Sequence, residues 1–413
     1  APGVQSTLPA MLADARTGLP PDTAYAATPY RAGFALDFIA QPSLAIAADR
    51  FGTYIGGGAT LYWSDMLGDH NLVTMAQVSG NTDFLNVAAL LGYENRKSRW
   101  NWGGVVQQIP YINGGIIQYF DPGSSQVVDS TVLLRQTNRQ AVGFVAYPLS
   151  RSQRVEVQAG VQHLTFDYWI ERRAFSYPDG RLVSESKTRG SLGDPLTLGM
   201  GTVAYVFDNS FFGATSPILG QRYRLEVSPT FGSIGFTTML ADYRRYVMPR
   251  RPFTLAARVL HVGRYGPSGD DSRIYPLFLG YPSLVRGYDF GSFDADECTS
   301  ATSCPVVDQL FGSRLLVGNA ELRFPLFGVL GLGDGYYGFL PVDAALFYDA
   351  GVAWTGAVGT RLFGTGSRRL VTSAGASLRM NLFGFAIGQL DYVRPFERPA
   401  KDWMIRLSLT PGF

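Results

Sequence analysis

Charged side chains are scarce in this sequence of 413 residues. Only 16% of the residues are Asp, Glu, Lys or Arg, whereas soluble domains carry about 25%. The scarcity indicates that much of the surface does not face water. The net charge is +2, and the basic residues are scattered singly rather than clustered among aromatics. We therefore expect no nucleic-acid partner.

Long apolar runs are missing as well. No stretch offers the roughly 18 consecutive apolar residues that a membrane-spanning helix requires. The longest uncharged stretch, residues 100–120, contains Gln107, Pro110 and Asn113, and it favours a hairpin over a helix. If the chain spans a membrane, it must do so as a closed β-barrel, because only a closed sheet pairs every backbone group within lipid.

Cysteines and catalytic motifs are also rare. Cys298 and Cys304 lie six residues apart, with no CxxC pattern and no histidine nearby, so we expect no metal site. A local disulfide is favoured and would indicate an oxidising compartment, with two free thiols as the alternative. The three histidines are scattered, and G-x-S-x-G, H-E-x-x-H and phosphate-loop motifs are lacking. These absences argue against an enzyme and against a bound cofactor.

Alternation of apolar and polar residues is the strongest positive signal. Barrel strands show this period over about ten residues per crossing, and about sixteen such strands can be assigned. They cover residues 33–47, 51–64, 72–79, 84–93, 99–109 (with a possible extension to 120), 131–147, 154–169, 197–207, 223–230, 236–246, 254–262, 314–324, 342–353, 371–380, 385–393 and 402–410. The predicted fold is all-β, a transmembrane antiparallel β-barrel over residues 32–413.

The start of the chain differs from the rest. Residues 1–31 are rich in Pro, Ala and Thr, and we predict a linker or an N-terminal periplasmic segment there. No signal-peptide pattern is present at the start. We therefore expect that the signal was removed or that the chain begins partway through a longer one.

The connections between the predicted strands differ in length. Three long ones, residues 114–130, 174–195 and 263–313, follow odd-numbered strands, whereas most others are short. Residues 208–222 and 326–340 are longer exceptions on the opposite side. Long loops on one side are typical of bacterial outer-membrane barrels and lie outside the cell, so an even strand number places both termini in the periplasm. A soluble β-sandwich or propeller would explain the alternation but not the low charge.

The last predicted strand shows the alternation clearly. Its apolar face, which we assign to lipid, comprises Trp403, Ile405, Leu407 and Leu409. Its other face, which we assign to the lumen, comprises Met404, Arg406, Ser408 and Thr410.

Three motifs in the C-terminal third resemble those of one known family. Leu-Val-Arg-Gly-Tyr at residues 284–288 resembles the V-R-G-F/Y signature of the BamA/TamA outer-membrane assembly family, the bacterial surface antigen superfamily. Residues 318–325 resemble its G-x-x-E…P segment, and Phe-Tyr-Asp-Ala-Gly at residues 347–351 resembles its F-x-D-x-G motif. The resemblance implies that the sixth outer loop folds back into the lumen. The strand count independently places residues 284–288 in the sixth outer loop.

The resemblance also implies that this loop is locked to the inner wall. The loop-lock motif comprises Val285, Arg286, Gly287 and Tyr288. Glu321 and Asp349 have the parity to point inward as partners of Arg286, a role that the resemblance carries over to them. Burying Arg286 without a partner would cost several kcal/mol, and a carboxylate would give it a charge-assisted bond. The alternative is a surface arginine with two ordinary lumen carboxylates.

A seam between the first and last strands would close the barrel. Pro42 lacks a backbone donor and would weaken this seam, whose other side carries Trp403, Leu407 and Leu409. The resemblance implies that the seam could open as a lateral gate, and a structural bulge without gating is an equal alternative. Phe413 resembles the terminal aromatic of the signal that the barrel assembly machinery reads.

The resemblance implies a function in translocating or inserting protein, or lipid, across or into the outer membrane. Expected partners are outer-membrane lipid and lipopolysaccharide, and the barrel assembly machinery during biogenesis. A periplasmic domain or partner protein is also expected, because insertases of the family carry POTRA domains and residues 1–31 are too few for one. The alternatives are an anchor or secretion conduit for an upstream domain, and a passive pore.

Overall fold

The computed structural model of the protein describes residues 29–40, 43–49, 52–81, 86–298, 304–362, 364, 366–382 and 386–411. Within these ranges, no helix is long and apolar enough to cross a membrane. The helical segments are short turns at Phe290–Ser292, Ala295–Glu297, Pro305–Asp308 and Leu326–Val329.

Twenty-one β-strands follow one another in the described residues. The first ten are β1 Ala35–Ile39, β2 Ser43–Asp49, β3 Gly52–Ser64, β4 His70–Asn81, β5 Asn86–Asn95, β6 Asn101–Asp121, β7 Gln126–Pro148, β8 Gln153–Ser176, β9 Leu182–Ser191 and β10 Leu196–Asp208. The others are β11 Phe211–Phe212, β12 Pro217–Gly232, β13 Phe236–Arg250, β14 Phe253–Tyr265, β15 Leu277–Phe278, β16 Phe311–Gly312, β17 Arg314–Pro325, β18 Val342–Trp354, β19 Val371–Leu382, β20 Ala386–Pro395 and β21 Met404–Pro411.

The strands form one large antiparallel sheet in which each main strand pairs with the next along the chain. β1 and β2 both pair with β3, as two parts of one interrupted strand. β8 pairs with β10 along its first half and with β9 along its second half. β11 is a short arm on β12, and β15 pairs with β16 away from the main sheet. When β1 and β2 are counted as one strand and β9, β11, β15 and β16 are left out, the described wall has sixteen strands. The predicted all-β class and strand number are therefore confirmed.

Closure of the sheet was predicted through pairing of the first and last strands. Over the residues that the structure describes, no backbone ladder joins β21 to β1 or β2. Pro42, which the sequence placed at this seam, lies outside the described residues. Closure at the seam therefore stays a prediction.

Side-chain exposure alternates along the wall as the sequence predicted. On β21, Ile405 and Leu407 are 73% and 75% exposed, whereas Arg406 between them bonds to Asp289 on the other side of the sheet. Val106 on β6 is similarly exposed, at 60%. Large exposed apolar surfaces mark contact with lipid or protein, and their spread over successive strands fits a lipid-covered outer face.

Two of the three predicted long loops are wrong. Most of residues 114–130 continues β6 and β7, which reach 21 and 23 residues and leave a short turn between them. Residues 174–195 contain the end of β8 and all of β9. β6 confirms the possible extension of the fifth predicted strand to residue 120, because pairing continues beyond the roughly ten residues that one membrane crossing requires. Gln118 and Asp129, for example, bond across the extended hairpin at 2.6 Å.

The third predicted long loop exists and contains the main hydrophobic core. We call residues 266–313, which connect β14 to β17, the inserted loop. Its Val285 and Tyr288 are completely buried and share one core cluster with Val317 of β17 and Val371 of β19. Burying an apolar side chain of this size contributes about 1.5–3 kcal/mol. The loop is therefore packed onto the lumen-side face of the sheet rather than extended into solvent.

Candidate functional site in the inserted loop

A short ladder closes the base of the inserted loop. β15 and β16 pair Phe278 with Phe311, and the two rings lie 4.8 Å apart. The backbone N–H of Leu279 donates to the carbonyl of Leu310 at 2.9 Å. The loop therefore leaves and rejoins the wall at one point, from which its middle section runs along β17 to β20.

Two glycines allow the loop and the wall to approach closely. Gly287 has φ of 87°, which glycine adopts without steric cost, and a Cβ there would lie 3.2 Å from Cγ2 of Val393. On the wall, a Cβ at Gly351 would lie 2.8 Å from side-chain atoms of both Leu279 and Val285. Larger residues at either position would push the loop away from the wall.

Arg286 and Asp349 form the central contact between loop and wall. Nε of Arg286 donates to Oδ2 of Asp349 at 2.7 Å, and Nη2 donates to Oδ1 at 2.8 Å. The backbone N–H of Arg286 and Nδ2 of Asn319 also donate to this carboxylate, at 3.2 and 2.8 Å. Asp349 is completely buried and Arg286 is 4% exposed. Bidentate, charge-assisted bonds of this kind are the strong ones in proteins.

Glu321 on β17 is shared by three arginines. Its Oε1 lies 2.9 Å from Nη1 of Arg286, Arg379 donates to both of its oxygens at 2.8 and 2.9 Å, and Nε of Arg323 donates to Oε2 at 2.6 Å. The guanidinium of Arg286 also lies 3.5 Å from the ring centroid of Phe347, a cation–π geometry. We call Arg286, Glu321, Arg323, Asp349 and Arg379 the Arg286 cluster.

The charge of Arg286 is secured by its surroundings. Burial alone would lower the pKa of Arg286, but the hydrogen bonds to Asp349 and the charge of Glu321 outweigh burial and raise the pKa above its ordinary value. Arginine is already cationic at every physiological pH. The arginine of the loop-to-wall contact therefore keeps its positive charge at every physiological pH.

Tyr288, the last residue of the loop-lock motif, ties the inserted loop to another connection. Its hydroxyl lies 2.7 Å from Oε2 of Glu397 and 2.9 Å from the carbonyl of Thr372, and it accepts the backbone N–H of Glu397 at 3.1 Å. Burial and the hydrogen bond with Glu397 raise the pKa of Tyr288. Glu397 lies between β20 and β21, so the motif reaches the last hairpin of the sheet.

Arg398 is a second anchor, which the sequence analysis missed. Arg398 is almost completely buried and donates to both carboxylate oxygens of Glu297 at 2.6 and 2.9 Å. It also donates to the carbonyl of Gly287 at 2.7 Å and to Oγ and O of Ser292 at 2.8 Å each. Its guanidinium lies 3.9 Å from the ring centroid of Phe293. One arginine thus binds four residues of the inserted loop.

Two further ion pairs join the inserted loop to the end of the chain. Nη2 of Arg406 on β21 lies 2.6 Å from Oδ1 of Asp289, and Lys401 pairs with Asp294. The loop is therefore bonded to the strand that forms one side of the predicted seam.

A comparison with known protein families shows which family the chain belongs to. The Omp85 superfamily domain matches residues 107–410. The chain belongs to the Omp85 superfamily. The family resemblance in the sequence is thereby confirmed, and both arginine anchors lie within the matched residues of the Omp85 domain. Barrels of this superfamily are outer-membrane proteins that take part in protein insertion or secretion.

Solved structures that are similar to the chain include the following two. BamA from Haemophilus ducreyi lacking POTRA domains 1–3 aligns with a TM-score of 0.56 and 14% identity, over 92% of this chain and 71% of that one. CdiB from Acinetobacter baumannii aligns with a TM-score of 0.49 and 13% identity, over 90% of this chain and 59% of that one. At its low identity the likeness to BamA shows the fold alone. No curated protein matches the chain.

The two cysteines of the Omp85 domain form the predicted disulfide. Cys298 directly follows Glu297, so the covalent bond to Cys304 closes the segment beside Arg398. Residues 299–303, inside this small ring, lie outside the described residues. Where the structure describes the chain, no group of His, Cys, Asp and Glu side chains is placed to hold a metal ion.

Of the residues predicted for the seam of the Omp85 domain, Trp403 and Leu407 are not members of the Arg286 cluster. Trp403 and Leu407 are 44% and 75% exposed and flank or occupy β21. Leu409 lies on the same strand. Pro42 and Phe413 lie outside the described residues. The structure thus brings Arg286, Glu321 and Asp349 together and leaves the predicted roles of the seam residues as predictions.

Proposed function

We propose that this chain acts in translocating or inserting protein, or lipid, across or into the outer membrane. In this proposal the inserted loop closes part of the lumen at rest. The observation that carries the proposal is the buried bidentate pair of Arg286 and Asp349, which fixes the loop to the lumen-side wall. Membership of the Omp85 superfamily supports the same class of function.

The energetics favour a stable internal plug over a mobile surface loop. Removing one partner of a buried ion pair typically costs about 3–5 kcal/mol, because the other charge stays buried without compensation. Arg286 has two carboxylate partners, and Arg398 holds the distal part of the loop separately. We infer that a large substrate passes beside the loop, and we propose the seam next to β21 as its route. Pro42, Trp403, Leu407 and Leu409 are the residues proposed for this seam.

We also propose an orientation and a set of partners for the chain. The inserted loop enters from the cell exterior, and both ends of the strand series lie in the periplasm. Outer-membrane lipid and lipopolysaccharide cover the outward faces. The barrel assembly machinery recognises the chain end at Phe413 during biogenesis, and a periplasmic domain or partner protein delivers substrate.

Conductance in a planar bilayer tests the plug. The wild-type protein should conduct little, and Arg286→Ala should raise the open conductance, because the loop loses its main bond to the wall. Arg245→Ala is a matched control, since Arg245 is an exposed arginine of β13 that bonds to Gln221 at 2.9 Å. Unchanged conductance in Arg286→Ala would contradict a plug held by this residue.

Insertion itself can be measured with liposomes that contain the purified protein. An unfolded small outer-membrane barrel protein is added, and its folding is followed by heat-modifiable gel mobility. We expect faster folding than in empty liposomes, with no acceleration from protein inactivated by heat. Equal folding rates in both preparations would contradict the insertion proposal.

A passive pore is the second candidate, and one feature favours it. A cavity of about 800 Å³, lined by polar side chains such as Glu94, Gln107, Gln140 and Glu156, lies away from the inserted loop, beside β5 to β8. A wide polar lumen there could admit small solutes. A passive pore predicts high wild-type conductance that Arg286→Ala leaves unchanged, so the bilayer experiment separates the two candidates.

A further inference from the structure

The two longer connections at the sheet end opposite the inserted loop pack against each other. They are residues 209–216, between β10 and β12, and residues 326–341, between β17 and β18. The hydroxyl of Tyr337 accepts the backbone N–H of Ala214 at 2.7 Å, and Nδ2 of Asn381 donates to the carbonyl of Ala214 at 2.9 Å. These bonds fix both connections in place.

An apolar cavity of about 480 Å³ lies between these connections and the start of β12. Aromatic and aliphatic side chains dominate its lining, among them Phe211, Leu219, Met248 and Tyr336. Phe211 and Leu219 are 65% and 42% exposed, so the cavity is open to its surroundings. Among the described residues that line it, Arg251 is the single charged one.

The cavity lies at the edge of the lipid-facing surface. On β14, Leu255 is 46% exposed on the outward face, and Phe253 shares that parity at the beginning of the strand. Arg251 precedes Phe253 by two residues, on the side away from Leu255. The chain therefore passes from lipid-facing apolar side chains to a cation within four positions, which is typical of the boundary between acyl chains and headgroups.

The cations at this boundary have no carboxylate partner. Arg250 and Arg251 are both exposed, and neither makes an ion pair with any residue that the structure describes. The guanidinium of Arg251 lies 5.9 Å from the ring centroid of Tyr336, which lines the cavity. An anionic group at the cavity mouth would meet uncompensated positive charge there.

We propose that this cavity binds one glycerophospholipid of the adjacent leaflet, with acyl-chain carbons in the cavity and the phosphate at Arg251. Because the cavity is continuous with the lipid-facing surface, an acyl chain of a neighbouring lipid can enter it. The unpaired cations supply the preference for an anionic headgroup, since each basic residue near a membrane surface strengthens anionic-lipid binding. The site is separate from the Arg286 cluster and does not depend on the proposed transport function.

Native mass spectrometry of the detergent-purified protein tests this proposal. Phosphatidylglycerol is the probe, with phosphatidylcholine as the zwitterionic comparison. Wild-type protein should retain one phosphatidylglycerol more tightly than phosphatidylcholine. Met248→Trp, which fills the cavity, should abolish this retention. Arg251→Ala should weaken phosphatidylglycerol binding about fivefold, the effect of one interfacial cation.

Matched substitutions outside the cavity complete the experiment. Met239→Trp changes a 44% exposed methionine of the same strand as Met248, and Arg139→Ala removes an exposed cation on β7 that bonds to Gln108. Both should retain lipid like the wild type, and heat-modifiable mobility should show that every variant is folded. Undiminished retention in Met248→Trp would overturn the proposal, because the retained lipid would then lie outside the cavity. Equal binding of both lipids, unaffected by Arg251→Ala, would overturn it too.

Discussion

Arg398 and Glu297 form an ion pair at 2.6 Å in which the two side chains are 0% and 1% exposed. The two residues are 101 positions apart in the sequence, one in the β20–β21 connection and the other in the distal part of the inserted loop. The inserted loop is thus held at two places. Arg286 attaches it to the wall, and Arg398 attaches it to the last hairpin.

Removing Arg398 should release the distal part of the loop without freeing Arg286. Arg398→Ala leaves Glu297 buried without its partner, a change that costs about 3–5 kcal/mol for buried pairs. Hydrogen–deuterium exchange should therefore accelerate strongly at residues 289–298 and change little at residues 314–324 of the wall. Lys401→Ala is the control, because its partner Asp294 is 59% exposed and exposed pairs contribute little. Equal protection in Arg398→Ala and wild type would contradict a separate anchor.

Low pH should weaken the attachment of the loop by Arg398 and Glu297. Burial would raise the pKa of Glu297, but the hydrogen bonds from Arg398 and from the backbone of Asp294 lower it below its ordinary value. A carboxyl with a depressed folded-state pKa contributes stability above its unfolded pKa of about 4.3, and this contribution is lost as the pH falls through the folded-state pKa. Exchange at residues 289–298 should accelerate as the pH falls below about 4. Glu297→Gln should remove that dependence, and a pH profile identical to that of the wild type would contradict it.

Reduction of the disulfide should leave the sheet intact. Cys298 and Cys304 close a small ring, whose chain-entropy contribution is roughly 2 kcal/mol, and the ring joins no wall strand. The protein with Cys298→Ser and Cys304→Ser should therefore keep the heat-modifiable mobility of a folded barrel. Its inserted loop should exchange faster near Glu297, because the ring no longer orders the segment beside Arg398. Loss of folded mobility on reduction would show that the disulfide supports the sheet itself.

The strands of the wall could be predicted from sequence because apolar and polar residues alternate with the two faces of the sheet. Ile405 and Leu407 alternate with Arg406 since one face of β21 meets lipid and the other meets the inserted loop. The same parity placed Asp349 and Glu321 inward on neighbouring strands, and a family motif identified Arg286 as their partner. Periodicity could not reveal where β6 and β7 end, because alternation continues past the length that a membrane requires.

The second anchor could not be predicted for a physical reason. Arg398 and Glu297 both lie in connections, where no periodic pattern shows which side chains are buried. Whether an arginine in a connection is solvated or buried depends on the path of another connection 101 positions away. The sequence around Arg398 carried no motif that would have marked it as buried.

The pairing of Arg286 with Asp349 can be tested by a double-mutant cycle. Arg286→Ala leaves a buried carboxylate that keeps two neutral donors, the backbone N–H of residue 286 and Nδ2 of Asn319. Asp349→Ala leaves a buried guanidinium that still pairs with Glu321. The oxygens of Glu321 already accept hydrogen bonds from Arg323 and Arg379. Each single change should therefore destabilise the folded protein, by about 3–5 kcal/mol for removal of one partner.

The double substitution removes both charges together, so it should be no more destabilising than the worse single change. Non-additivity of this kind measures the direct interaction between two groups. The readout is the temperature at which heat-modifiable mobility is lost, with Arg139→Ala as an exposed-arginine control that should not move it. If the two single losses add fully in the double variant, Arg286 and Asp349 act independently, and the attachment of the loop depends mainly on Glu321 and on Arg398.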